Sequence, residues 1–200
     1  MIERHLCRCM LWLFVSSCVP GVAFAGVPTE KIRDTTDKII RIVSDPALKG
    51  AEKKTERKQM IRQVIDERFN WEEMARRTLA RHWRERTEQE KREFIDLYGK
   101  LLERTYLDRV EGYSGEKVIY QGEQIDGNYG VVQVKILTRQ QTEIPTEYRV
   151  KQKGDDWLVY DISIEGVSLV NNYRSQFNSI LSKKPPEALL KILRKKVGKS

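Results

Sequence analysis

Between Lys117 and Glu165 the apolar residues recur at every second position, while on either side they recur at helical spacing. Strand side chains alternate faces and a helix face returns every ~3.6 residues, so the two periods mark two kinds of structure. Four segments carry the shorter period: Lys117 to Ile125, Tyr129 to Thr138, Ile144 to Lys151 and Trp157 to Glu165. Asp126-Gly-Asn128 and Lys153-Gly-Asp155 supply hairpin turns between them. Pro145 suits a strand start or edge better than a sheet centre. Sequential antiparallel strands with helices before and after make an α+β arrangement.

The flanking helices can be placed from their stripes and caps. Residues 28–44 carry Ile32, Thr36, Ile39, Ile40 and Val43 on one face, and Asp45-Pro46 stops them. A polar stretch from Lys49 to Lys58 leads to a second helix with Met60, Ile61, Val64 and Ile65 facing inward. Asn70 is the expected N-cap of a third, with Glu73 at the capping-box position and Phe69, Trp71, Met74, Leu79 and Trp83 as its large apolar groups. Thr87-Glu-Gln-Glu90 opens a fourth helix, running to about Val110 with Phe94, Leu97, Tyr98, Leu101, Leu102 and Tyr106 on one side. After the strands, Gly166 is expected to turn the chain directly into a helix over 167–182, with Val167, Val170, Tyr173, Arg174 and Phe177 at helical spacing. Pro185-Pro186 introduces the last helix. No repeat or linker interrupts the order, so residues 26–200 are expected to form one domain.

The first 25 residues read as a cleaved signal peptide. Arg4 and Arg8 precede an apolar stretch from Met10 to Val15, and Ala23-Phe24-Ala25 fits the small-x-small cleavage rule. The apolar run is too short to span a bilayer. Val15-Ser-Ser-Cys18 resembles a lipoprotein lipobox, and lipidation of Cys18 is the rival to cleavage after Ala25. Cys7, Cys9 and Cys18 all lie in this leader, leaving the mature chain no disulfide and no thiolate metal site. Export to the periplasm is the expectation.

The chain carries 37 basic and 29 acidic residues, a net +8, which loss of Arg4, Arg8 and Glu3 lowers to +7. Export argues against a nucleic-acid partner, and bases are interleaved with acids, as from Glu85 to Arg92. Lys191 to Lys199 is the one-signed block, suited to an anionic lipid surface, an acidic partner or a frayed soluble terminus, and Arg76, Arg77, Arg81 and Arg84 form a candidate docking face or a simply solvated one.

Catalysis finds little to work with. The mature chain has one histidine, His82, set between Arg81 and Trp83 with no metal-ligand spacing around it. Asp161 and Glu165 alternate along a strand and are read as capping the next helix or pairing with Arg174. Ser168 and Ser175 lack a nearby base, and no glycine-rich phosphate loop appears. No metal or cofactor is expected.

The uninterrupted run from Trp157 to Phe177, containing Val-Tyr-Asp-Ile-Ser-Ile-Glu-Gly-Val-Ser-Leu-Val-Asn-Asn-Tyr-Arg-Ser-Gln-Phe, closely resembles the MlaC (toluene-tolerance) family. A second block, Arg68 to Trp83, is similar to the same family, with Asn70 and Ala80 standing where it often has Asp and Gly. The resemblance covers almost all of residues 26–200. It implies a curved, nuclear-transport-factor-2-like sheet of about four strands, wrapped by helices around an apolar lipid pocket. It further implies a non-enzymatic periplasmic phospholipid shuttle that maintains outer-membrane lipid asymmetry. The partners implied are an inner-membrane ABC transporter complex with its periplasmic substrate-binding-like ring and an outer-membrane lipoprotein–porin complex. Two chains of ~15 methylenes, at ~0.8 kcal/mol each, would cost roughly 24 kcal/mol to expose, so such a carrier must enclose them. Pocket lining is expected from Leu79, Trp83, Phe94, Leu97, Tyr98, Leu101, Val132, Val134, Ile136, Tyr148, Val150, Leu158, Tyr160, Ile162, Val167, Val170, Tyr173 and Phe177, with Arg174 at its mouth. The alternatives are another apolar cargo such as a hopanoid, a small-molecule enzyme on the same fold, or an assembly factor with a filled core.

Overall fold

The computed structural model describes residues 26–198; the signal-peptide cleavage site and Cys18 lie outside them. Among these residues the order is α1 (Val27–Ser44), α2 (Lys54–Arg68), α3 (Trp71–Leu79), α4 (Glu88–Glu111), β1 (Lys117–Asp126), β2 (Tyr129–Leu137), β3 (Glu143–Lys153), β4 (Asp156–Ile164), β5 (Val167–Ser168), α5 (Leu169–Leu181) and α6 (Pro186–Val197). The strands form one antiparallel meander, β1-β2-β3-β4-β5. The α+β expectation holds, with one short strand more than expected.

That strand changes the reading of the Gly166 corner. Glu165 and Gly166 both take positive φ, 50° and 79°, which makes a two-residue hairpin turn. Val167 and Ser168 pair back onto Ile164 and Ser163 before the helix begins. Val167 therefore belongs to a strand, not to a helical stripe, and is 55% exposed.

Two bulges bend the sheet. Gln121 in β1 and Tyr160 in β4 are extra residues: Tyr120 pairs with Val134 but Gly122 with Gln133, and Val159 pairs with Val150 but Asp161 with Arg149. The second bulge overturns the simple alternation of Leu158, Tyr160, Ile162 and Ile164. Ile162 and Ile164 pair with Tyr148 and Thr146 on the inner face, alongside Val159, whereas Leu158 pairs with Lys151 on the outer face and Tyr160 packs there on Tyr129.

The caps follow the sequence closely. Thr87 and Glu90 form a complete capping box at α4. Asn70 Oδ1 accepts from the Glu73 amide at 3.0 Å, but the Glu73 carboxylate turns to Arg76 and Arg77 instead of closing a box. At α5, Ser168 Oγ accepts from the Asn171 amide, and buried Asp161 accepts from Ser168 Oγ at 2.6 Å and the Val170 amide at 3.0 Å. Glu165 takes no part in that cap. α3 ends at Leu79 because Ala80 adopts φ 50° and ψ −119°, and residues Ala80–Trp83 continue as a 3-10 turn.

The core divides in two. On the helical side, Phe94 stacks on Tyr98 at 5.6 Å and the pair meets Tyr173 and Phe177 edge-on at 5.6–6.1 Å, with Leu79, Leu97, Leu101, Val170 and Leu193 filling around them. On the inner face of the sheet, Val132, Val134, Val150, Trp157 and Val159 pack against Ile32 of α1. Between this cluster and the other end of the sheet, packing stops.

Candidate functional site: an apolar hollow between sheet and helices

The hollow begins where Ile32 leaves the sheet. α1 runs outward over the inner face and presents Thr35, Thr36, Ile39, Ile40 and Val43 to it. β1 to β4 supply the facing wall: Val118, Ile136, Ile144, Thr146, Tyr148, Val159, Ile162 and Ile164. Ile65, Phe69, Trp71 and Met74 from α2, α3 and their connection close one side. Leu102, Tyr106, Leu107, Val110 and Tyr113, from the last turns of α4 and beyond, close the other. The hollow, open to solvent on one side, measures about 470 Å³, within the ~300–1,000 Å³ typical of small-molecule sites. The Ile32 cluster forms its floor, and Arg109, Tyr113, Glu116 and Thr138 fringe the opposite end.

Polar struts keep the walls apart. Glu123 of β1 accepts from the Thr29 amide at 2.8 Å and from its hydroxyl at 2.6 Å, pinning the start of α1 to the sheet. Arg68 donates to Thr35 Oγ1, Asp156 and the Trp157 carbonyl, tying α1, α2 and β4 together. The Asn70 amide donates to the Val159 carbonyl at 2.8 Å, so the α2–α3 connection adds to the sheet edge. α2 meets α4 through ion pairs: Arg57 with Glu111, Lys58 with Asp108 and Glu111, and Arg62 with Glu103 at 2.7 Å. Ile61 and Leu107 are buried along that seam together with Val43 of α1.

Tyr148 lies deep in the molecule with its ring against the void, and burial pushes its phenol up to about 12. Burial raises the Tyr120 phenol as well, and its hydroxyl is enclosed without a hydrogen-bond partner among the described residues. Near the mouth, the Glu116 carboxylate accepts from the Ser114 amide and hydroxyl, which holds it below its ordinary range. The wall contains no histidine, and its carboxylates Glu103 and Glu116 are engaged by Arg62 and Ser114. Among the described residues no group of acids, histidines or cysteines has metal-site geometry.

Of the residues expected to line a pocket, Ile136, Tyr148 and Ile162 do so. Val132, Val134 and Val150 share the same sheet face but are packed into the floor. Leu79, Phe94, Leu97, Tyr98, Leu101, Val170, Tyr173 and Phe177 form the filled helical core, with Trp83 and Tyr160 at its margin. Leu158 lies on the outer face and Val167 in the exposed hairpin. Arg174 is not at the mouth: its Nε donates to the Arg77 carbonyl at 2.8 Å, and neither Asp161 nor Glu165 pairs with it. Arg62, Arg68 and Arg109 are the arginines that line the hollow. The His82 ring hydrogen-bonds with Arg81 and Asn178, and Arg76 and Arg77 share the single Glu73 carboxylate with Lys151. The α1 stripe, missed as lining, carried a signal: it has two threonines and no aromatic, unlike the stripes that fill the core.

The fold has solved counterparts. A phospholipid-binding protein from Ralstonia solanacearum, determined in complex with a phospholipid, superposes with a TM-score of 0.77 at 24% identity, covering 84% of this chain and 96% of that one. The intermembrane phospholipid transport system binding protein MlaC of Haemophilus influenzae is 21% identical over 126 residues, which is 60% of this chain and 59% of the relative. The sequence model of the MlaC protein matches residues 33–195, and with that match the chain belongs to the MlaC family.

Proposed function

We propose that this protein is a periplasmic phospholipid carrier that takes acyl chains into the hollow between its sheet and α1, α2 and α4. The observation that carries this reading is the hollow itself: a wall of mostly aliphatic and aromatic residues, held open by struts, whose carboxylates are engaged by Arg62 and Ser114. Bilayer and cavity are both apolar, so transfer between them is nearly balanced and direction must come from partners. Those partners are an inner-membrane ABC transporter complex with its periplasmic substrate-binding-like ring and an outer-membrane lipoprotein–porin complex. Between them the carrier sustains outer-membrane lipid asymmetry. Both similar proteins are named for phospholipid, which favours that cargo over a hopanoid.

Native mass spectrometry of the chain purified without detergent tests the reading. A near-stoichiometric adduct of diacyl-phospholipid mass is expected. Replacing Ile162 with Trp, which extends into the void rather than into packed core, should deplete that adduct while the fold persists. A sterol-like mass would favour the hopanoid, and a bare protein after incubation with phospholipid vesicles would overturn the carrier reading.

A further inference from the structure

Resting on that reading, we infer that Arg109 is the cation that receives the phosphodiester of the bound lipid at the mouth of the hollow. The argument begins with how charge is distributed around the last turns of α4. That segment carries three acids, and each already faces α2: Glu103 pairs with Arg62, Asp108 with Lys58, and Glu111 with Arg57 and Lys58. Arg109 has no such partner among the described residues. It is exposed, lies on the cavity-lining side of the helix with Tyr106, and its guanidinium sits 5.7 Å from the centre of that ring. A cation over an aromatic face is held in place without being neutralised.

The acid on the other side of this end of the hollow does not pair with Arg109. Glu116 keeps its negative charge while accepting from the Ser114 amide and hydroxyl, at 2.7 and 2.8 Å, and its charge is offset by the nearby Arg139. Arg139, in the β2–β3 turn, is exposed and lies near Gly115 on that side. The rim is therefore net cationic directly above an apolar hollow. A ligand that matches both parts has two chemical ends: hydrocarbon below and an anionic phosphate above. A guanidinium offers a planar fork of donors suited to phosphate oxygens, which a lysine does not. The geometry also separates cargo classes, because an uncharged lipid with the same tails would fill the hollow and leave Arg109 idle.

The test compares two ligands of equal chain length, a phosphatidylglycerol and the corresponding diacylglycerol, offered from the same vesicles and counted by native mass spectrometry. The wild-type chain should favour the phospholipid roughly tenfold, the scale of one charge-assisted hydrogen bond at a partly wet site. Arg109→Ala should erase the preference while leaving diacylglycerol loading unchanged, and Arg109→Lys should restore only part of it. Raised salt should shrink the preference wherever residue 109 carries a positive charge and leave Arg109→Ala unmoved. Arg92→Glu, about 25 Å away along α4, controls for net charge and should change nothing. Inorganic phosphate that strips bound phospholipid at millimolar concentration would show a free-anion site instead of a headgroup contact. Full preference retained by Arg109→Ala would overturn the assignment. Loss of both ligands together with a lowered melting temperature in Arg109→Ala, but not in Arg109→Lys, would make Arg109 a structural residue and would overturn it too. Failure of the wild type to load either lipid would strike the carrier reading itself, which keeps the two failures apart.

Discussion

At the scale of single residues, two positions hold energy in opposite directions. Ala80 ends α3 with φ 50° and ψ −119°, a conformation open to glycine and costly for a residue with a Cβ. Ala80→Gly should therefore stabilise the chain by about 1 kcal/mol, even though glycine also loosens the unfolded state. A higher urea midpoint at unchanged slope would show it. Glu73 works the other way. Burial favours its neutral form, but hydrogen bonds and charge from Arg76 and Arg77 outweigh that and hold the carboxyl below its ordinary value of 4.5. A carboxylate depressed on folding adds stability above its unfolded pKa, and that contribution is lost as pH falls through the folded one. Stability should thus fall as the solution is acidified below about 4.5, and Glu73→Gln should flatten this acid limb while lowering stability at neutral pH. Paired urea titrations at neutral and acid pH would decide the matter.

At the scale of elements, the joint between β4 and α5 depends on a strand residue capping a helix that follows it. Asp161 is 3% exposed, and its carboxylate accepts from Ser168 Oγ and the Val170 amide. Asp161→Ala should cost roughly 2–3 kcal/mol, since it removes a cap and leaves buried donors unpaired. Asp161→Asn, which keeps one acceptor, should cost less, and thermal denaturation of the two variants would rank them. This joint also shows what could be read in the sequence. Thr87, Asn70, Gly127 and Gly154 mark helix starts and turns by local chemistry alone, and the elements they bound appear within a residue or two of expectation. The Tyr160 bulge leaves no such mark. Leu158, Tyr160, Ile162 and Ile164 alternate without a break in the sequence, yet the extra residue sends the second pair to the opposite face from the first. The hollow was hidden for a related reason. Periodicity tells which side of an element is apolar, not whether another side chain meets it. Phe94 and Phe177 meet each other, whereas Ile39 and Ile162 face across a gap. The aromatic stripes looked the better walls and turned out to be the filling.

At the scale of the whole molecule, the two halves are built to different rules. α3, α4, α5 and α6 close around a packed aromatic core, while beyond Ile32 α1 and α2 stand off the sheet on struts. A ligand that binds only the folded form raises stability by mass action, and it does so through the groups it touches. Loading should accordingly be felt unevenly. In hydrogen exchange, amides of α5 and the first half of α4 should keep their protection whether the hollow is full or empty, whereas α1 and the end of α2 should gain protection only when it is full. Equal gains in both halves would mean that they open as one unit. On the proposed reading, the lopsided core separates two tasks: the aromatic side remembers the fold, and the strutted side registers the load. A protein of this design can be emptied and refilled repeatedly without being asked to refold, because the part that yields is not the part that holds.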